Sequence, residues 1–168
     1  LALAHRLDRE TSGLMVVTKS AAASRALQQQ FASGSVEKEY LAIVHGHIAD
    51  EWFAVDGWIG RDPSSEITIR RAVVADGSHG AQPARTSFRR EQRLSNFTLV
   101  RALPETGRTH QIRVHARHLG WPLLGDDAYG PGNAAAAKAL VAAASASVTG
   151  AARSRPRIAA TSASISWS

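Results

Sequence analysis

"ITIRRAVVADGSHGAQPARTSFRREQRLSNFTLVRAL", residues 67–103, carries three runs rich in strand-forming residues with no helical stretch between them. The runs at 67–74, 84–90 and 97–103 are separated by turn signals such as "DGSHG" at 76–80. Consecutive strands joined by short turns pair antiparallel, whereas a parallel sheet needs a long crossover between partners. Upstream, "KEYLAIVHG" at 38–46 alternates and reads as another strand, and the apolar run inside "LMVVTKS" at 14–20 reads as a buried one. Two helices are expected. "AAASRALQQQFASG" at 21–34 has Ser20 as its N-cap and Gly34 as its stop. "THQIRVHARHLG" at 109–120 has Thr109 as its N-cap and Gly120 at its end, with Ile112, Ala116 and Leu119 along one face. Strands outnumber helices and do not alternate with them, so an α+β domain around a mostly antiparallel sheet is expected.

A chain of 168 residues suits one domain with a single sizeable core. Its formal net charge of +6 is carried by Arg far more than by Lys. The guanidinium fork matches phosphate and stacks on bases, so an anionic partner is implied, and nucleic acid is the commonest one. No segment approaches the roughly 18–20 apolar residues of a membrane-spanning helix. Cysteine is absent, which excludes disulfides and thiolate metal sites. No signal peptide is visible and a cytoplasmic address is the default expectation, although the chain starts at Leu1 and not at Met. From residue 131 onward Ala and Ser dominate. Residues 134–144 could be helical there, and the final stretch reads as loop or disorder.

"HRLDRETSG" at 5–13 places a polar knot directly before the apolar run. Asp8 within it reads plainly as a turn-capping residue. It reads more sharply as a nucleophilic carboxylate kept ionised by neighbouring Arg side chains, each able to lower an Asp pKa by roughly 1–3 units. At the other end, a helix beginning at Thr109 next to Arg108 would direct free N–H groups toward an anion. Arg113 and Arg117 lie one turn apart, as a phosphate-binding pair or as an ordinary solvated face. His110 and His115 are separated by ~140° of helical rotation. They do not share a face, no carboxylate completes a set, and no metal is expected. Tyr40 in "KEYLAIVHG" reads as strand packing, or as a base-stacking or proton-handling group at a pocket rim.

Taken together, "HRLDRETSGLMVV", "KEYLAIVHG" and "GRTHQIRVHARHLGWPLLGDDAYG" resemble, in order, the motifs of the RluA-type pseudouridine synthases. The resemblance covers about residues 3–130. It implies a mixed, mostly antiparallel sheet flanked by helices, with a cleft across its middle. It implies that Asp8 is the catalytic aspartate and that Arg6 enters the RNA stack when a uridine is flipped out. Tyr40 would stack near the uracil and is a candidate for proton abstraction, and Arg113 would pair with the aspartate. Arg108 and Arg117 are expected to bind RNA. The implied reaction turns uridine into pseudouridine in structured RNA, rRNA or tRNA, with no cofactor and no metal. The expected partner is that RNA, with no membrane, and the protein is expected to be a monomer. The domain is expected at 1–130, N-terminally incomplete, with 131–168 as an atypical Ala- and Ser-rich tail. Two rival readings are an RNA-binding remnant that has lost turnover, and a hydrolase or nuclease using Asp8 with a His.

Overall fold

A computed structural model describes residues 1–131. Apart from Pro131, the expected tail and its helix at 134–144 lie outside the described residues. The elements run β1 (Ala2–Leu3), β2 (Val17–Thr18), α1 (Ala21–Ala32), β3 (Tyr40–His45), β4 (Trp52–Arg61), β5 (Arg71–Val74), β6 (Gln82–Arg93), β7 (Phe97–Pro104) and α2 (Gln111–His118). Five strands form one sheet in the order β3-β7-β6-β4-β5, every pair antiparallel, while β1 and β2 form a separate two-residue ribbon. The fold is α+β, as the turn-separated strands of 67–103 imply.

β3 shows why its sequence is an almost unbroken apolar run. Leu41 through Val44 are all buried, because both faces of the strand are covered. Ala42 and Val44 join the main core with Ile48, Val55, Phe88, Val100, Ala102 and Leu123, on which α2 rests through Ala116, Ile112 and Leu119. Leu41 and Ile43 point to the opposite face and meet Leu99 and Leu124. The outer edge of β3 is closed by the segment after α2. The amide of His45 donates to the Pro122 carbonyl at 2.9 Å, and that of Leu124 to the Ile43 carbonyl at 2.8 Å. This pairing anchors "GDDAYG" beside the sheet.

α1 begins as its sequence indicates, with the Ser20 hydroxyl accepting from the Ala23 amide at 3.2 Å. It ends at Gly34, whose φ of +74° a residue with a side chain adopts only under strain. Four expectations need correction. The buried strand expected within 14–20 shrinks to Val17–Thr18, and Leu14, Met15 and Val17 are about half exposed; its described partner β1 is only two residues long, too short to cover them. The strand expected at 67–74 starts only at Arg71, because Ile67 to Arg70 close a turn through the Arg70 amide and the Ile67 carbonyl. A ten-residue strand, β4, lies where no strand was expected. Asp56, Gly57 and Gly60 interrupt its pattern, and long-range pairing with β5 and β6 overrides that weak local preference. Finally, Thr109 does not cap α2. The cap position is His110, which makes no side-chain capping bond, and the Arg108 amide is instead satisfied by the Gln111 side chain at 2.9 Å.

Candidate active site

The loop at 5–16 is shaped by its own residues. The His5 Nε2 accepts from the Val16 amide at 2.8 Å, and its ring stacks on Phe31 of α1 at 4.9 Å. Burial lowers the His5 pKa, which keeps the ring a neutral acceptor. Inside this closed loop, the Asp8 carbonyl accepts from the Thr11 amide at 3.0 Å, making a tight turn that presents the carboxylate. Arg9 turns away to pair with Glu10.

On the other side stands α2. Its start is organised by Gln111, buried and fully bonded. The Gln111 Oε1 accepts from the Thr106 hydroxyl at 2.7 Å and from the Arg108 amide at 2.9 Å. Its Nε2 donates to the Arg85 carbonyl and the Thr86 hydroxyl, both at 2.9 Å. Lys38 braces the same turn, donating to the Thr106 carbonyl at 3.0 Å. Burial, then the charge of Arg108, lowers the Lys38 pKa.

One turn into α2, Arg113 joins the two sides. Its Nε and Nη2 fork onto the buried Asp126 carboxylate at 2.7 and 2.8 Å, while its Nη1 reaches the Asp8 Oδ2 at 3.4 Å. The guanidinium lies 4.8 Å from the centre of the Tyr129 ring. Burial works against its charge, but bonds and charge from Asp126, with Asp8 adding, hold its pKa above the usual value. Asp126 in turn accepts from the amides of Ala128 and Tyr129. A Cβ on Gly130 would stand 2.8 Å from the Asp126 carbonyl oxygen, so the turn that aims this carboxylate has no room for a side chain there.

A cavity of about 150 Å³ opens between these parts, lined by Arg6, Asp8, Tyr40, Arg108, His110 and Arg113 among others. A wider groove continues from it past Phe31 and Glu105, with Arg6, Lys38, Tyr40 and Arg108 among the residues shared by both. Of the six residues singled out in the sequence, five therefore meet at one cavity. Arg117 is not among its lining residues and is exposed on α2. The phenol of Tyr40 is pushed up in pKa by burial and then by the Asp8 charge, so it is protonated at neutral pH. Asp126, Tyr129, Gln111 and Lys38 belong to the site and were not singled out. The Asp and Tyr sit in the quoted "GDDAYG", but only the fold brings them beneath Arg113.

The chemistry of this arrangement is that of a partly buried carboxylate steadied by a fixed cation, at the mouth of a small cavity in a basic surface. Comparison with known proteins shows the family. Residues 1–118 match the family model described as RNA pseudouridylate synthase. The chain is 46% identical over 129 residues to an uncharacterized RNA pseudouridine synthase of Chloroflexus aurantiacus, and 43% identical over 130 residues to the ribosomal large subunit pseudouridine synthase C of Yersinia pestis. Each alignment covers 77% of this chain and 39% of the relative, so the chain spans about two-fifths of their length. The solved structure of human RNA pseudouridylate synthase domain containing 1 superposes with a TM-score of 0.68 at 32% identity, covering 76% of this chain and 54% of that one. By the order of its motifs, its sheet and its match over most of its length, this chain belongs to the RNA pseudouridylate synthase family.

Proposed function

We propose that this chain is the catalytic part of an RNA pseudouridine synthase, with Asp8 as its nucleophile. The observation that carries the reading is the Asp8 carboxylate held at the cavity mouth by Arg113, with the neutral phenol of Tyr40 lining the same cavity. A uridine within structured RNA must be turned out of its stack to reach such a place, at a cost of a few kcal/mol. Arg6, exposed at the rim, has the flat, charged side chain suited to the vacated position.

Asp8 then attacks the sugar's anomeric carbon or the uracil ring. The bond between N1 and the sugar breaks, the base turns within the cavity, and the sugar carbon rejoins at C5. The proton on C5 leaves and N1 gains one, so no atom or electron is lost. Nucleophilic catalysis divides this exchange into two easier steps. Tyr40 enters with its own proton in place. It serves first as a stacking surface, and it accepts the C5 proton only as its own passes to a neighbouring acceptor.

The substrate class is rRNA or tRNA, and the names of the relatives from Yersinia pestis and Escherichia coli favour the large ribosomal subunit. A cytoplasmic address agrees with such a substrate. Among the described residues no helix is long and apolar enough to cross a membrane.

The test is direct. The chain is incubated with ribosomal and transfer RNA, and pseudouridine is measured alongside strand length. Pseudouridine in intact RNA is expected; binding without product, or shortened strands, would overturn the reading. Asp8→Asn should lower turnover by about 10⁴-fold or more while RNA binding stays nearly intact, as removal of a nucleophile does elsewhere. Undiminished product from the Asn variant would remove Asp8 from its role.

A further inference from the structure

His110 has a positive φ, +57°, unlike every other non-glycine residue described. Histidine tolerates this region better than most residues, but the conformation persists only where its surroundings impose it. Here the constraint is visible. The His110 Nδ1 lies 2.8 Å from the Tyr129 hydroxyl, and the two rings meet edge to face at 5.5 Å. That hydroxyl already accepts from the Arg71 amide of β5 at 2.9 Å. With that amide on the phenol oxygen, the arrangement that gives the phenol's own proton an acceptor directs it to Nδ1, and the imidazole then carries its proton on Nε2.

Nδ1 is thus committed to the protein, and Nε2–H is what the ring has left to offer. The ring lines the same cavity as Asp8, Tyr40 and Arg113. Arg113 and Arg71 face it and oppose protonation, whereas Asp8 and Asp126 favour it. Burial is the largest influence, and the net effect keeps the ring neutral. A neutral donor inside the cavity differs from the charged groups at its rim. Arg6, Arg108 and Lys38 suit phosphates, while a single uncharged N–H suits a carbonyl oxygen.

We infer that His110 reads the flipped base, donating its Nε2–H to a carbonyl oxygen of the uracil ring. The role rests on the assignment of this chain as a pseudouridine synthase. It is separate from that of Asp8: His110 orients the base while the carboxylate attacks. Tyr129 and Arg71 fix which nitrogen faces the substrate, so the left-handed backbone serves to hold a donor of one defined tautomer over the cavity.

Two measurements on the full chain test it. The first is side-chain nitrogen–proton correlation NMR of His110 in the wild-type protein, alone and with a stem-loop RNA whose loop holds uridines. An Nε2–H tautomer is expected, and its resonance should move with this RNA but not with the same stem-loop made abasic at those positions. An Nδ1–H tautomer, or equal shifts with both RNAs, would overturn the inference. The second is His110→Gly, which keeps the backbone conformation and removes the ring. It should lower kcat by roughly 10²-fold, as loss of one preorganised donor does, with RNA affinity unchanged and partial recovery in added imidazole. Full activity, or a loss that imidazole does not relieve and that follows a lowered Tm, would overturn it. A wild-type chain that makes no pseudouridine, yet shows the uridine-dependent shift, removes the turnover assignment and leaves His110 as a base-binding residue. An active chain with an unmoved His110 does the reverse.

Discussion

Arg113 divides its guanidinium between two carboxylates of unequal depth. Asp126 has a side chain 5% exposed and takes two of the three nitrogens, while Asp8, at 27%, meets the third at the longer distance. The buried fork sets the plane of the guanidinium, and the third nitrogen is thereby offered to Asp8 from a fixed position. At 3.4 Å it steadies the Asp8 carboxylate, the proposed nucleophile, without saturating it. Lysine cannot reproduce this, because a single ammonium cannot fork Asp126 and also face Asp8. Arg113→Lys should therefore lower kcat by about 10²-fold, the scale of a small misplacement in a reacting group, with little change in RNA affinity. Arg117, exposed and not among the residues lining the cavity, should behave oppositely. Arg117→Ala should leave kcat intact, weaken RNA binding and reduce its salt slope by about one. Binding measured across salt concentrations, beside single-turnover rates, separates the two. Matching effects of both changes would show that Arg113 acts as a phosphate contact and not through Asp8.

At the level of elements, α2 is held to the sheet by polar as well as apolar contacts. His115 is fully buried, with its Nδ1 2.9 Å from the Thr86 hydroxyl of β6 and its Nε2 without a partner. Burial, reinforced by the charge of His118, lowers its pKa to about 4. In the unfolded chain the same group titrates near its usual 6.5. Between these values the unfolded state binds more protons than the folded one, so stability is complete above about pH 6.5 and falls as pH drops toward 4. His5, His45 and His110, lowered in the same direction by burial, contribute to the same window. A plot of Tm against pH should slope through this range, and His115→Asn should flatten it. An unchanged slope would mean that His115 is not kept neutral by the fold. α2 also shows where sequence reading succeeds and stops. The helix and its core face at Ile112, Ala116 and Leu119 are local periodicity, and so are α1, β3, β6 and β7. Asp8, Tyr40 and Arg113 stand out as candidates because each sits in a motif that resembles the family's, and the fold brings the three to one cavity. β4 is not legible, since its glycines and Asp56 read as loop until β5 and β6 pair with it. Nor is the partnership of Asp126 and Tyr129 with Arg113, which depends on the Pro122 to Leu124 segment closing the edge of β3.

Across the whole molecule, the cavity lies between two parts that are held together very differently. Arg113, Tyr40, Gln111 and Asp126 stand on the sheet, on α2 and on the segment paired to β3, around a core in which Val100 and Ala102 have no exposure. Asp8 stands on the segment before α1. There, β1 and β2 pair over two residues only, and Leu3, Leu14, Met15 and Val17 stay about half exposed. The loop is closed by the His5–Val16 bond, the Asp8–Thr11 turn and the contact with Arg113. Few buried contacts and short pairing mean a low free energy of local opening, a common property of segments that must admit a ligand. The proposed nucleophile, Asp8, is therefore carried by the less stable part and its electrostatic partner, Arg113, by the more stable one. Amide hydrogen exchange should show this as a step. The amides of Thr11 and Val16 should exchange about two orders of magnitude faster than that of Val100, through opening that leaves the five-stranded sheet intact. RNA that fills the groove between the two parts should slow the first pair and leave the second unchanged, because it binds only the closed arrangement. Arg113→Ala should speed exchange at Thr11 further by removing the tie across the cavity. Equal protection of Thr11, Val16 and Val100, with no response to RNA, would show that the 5–16 loop folds and opens with the sheet as one unit.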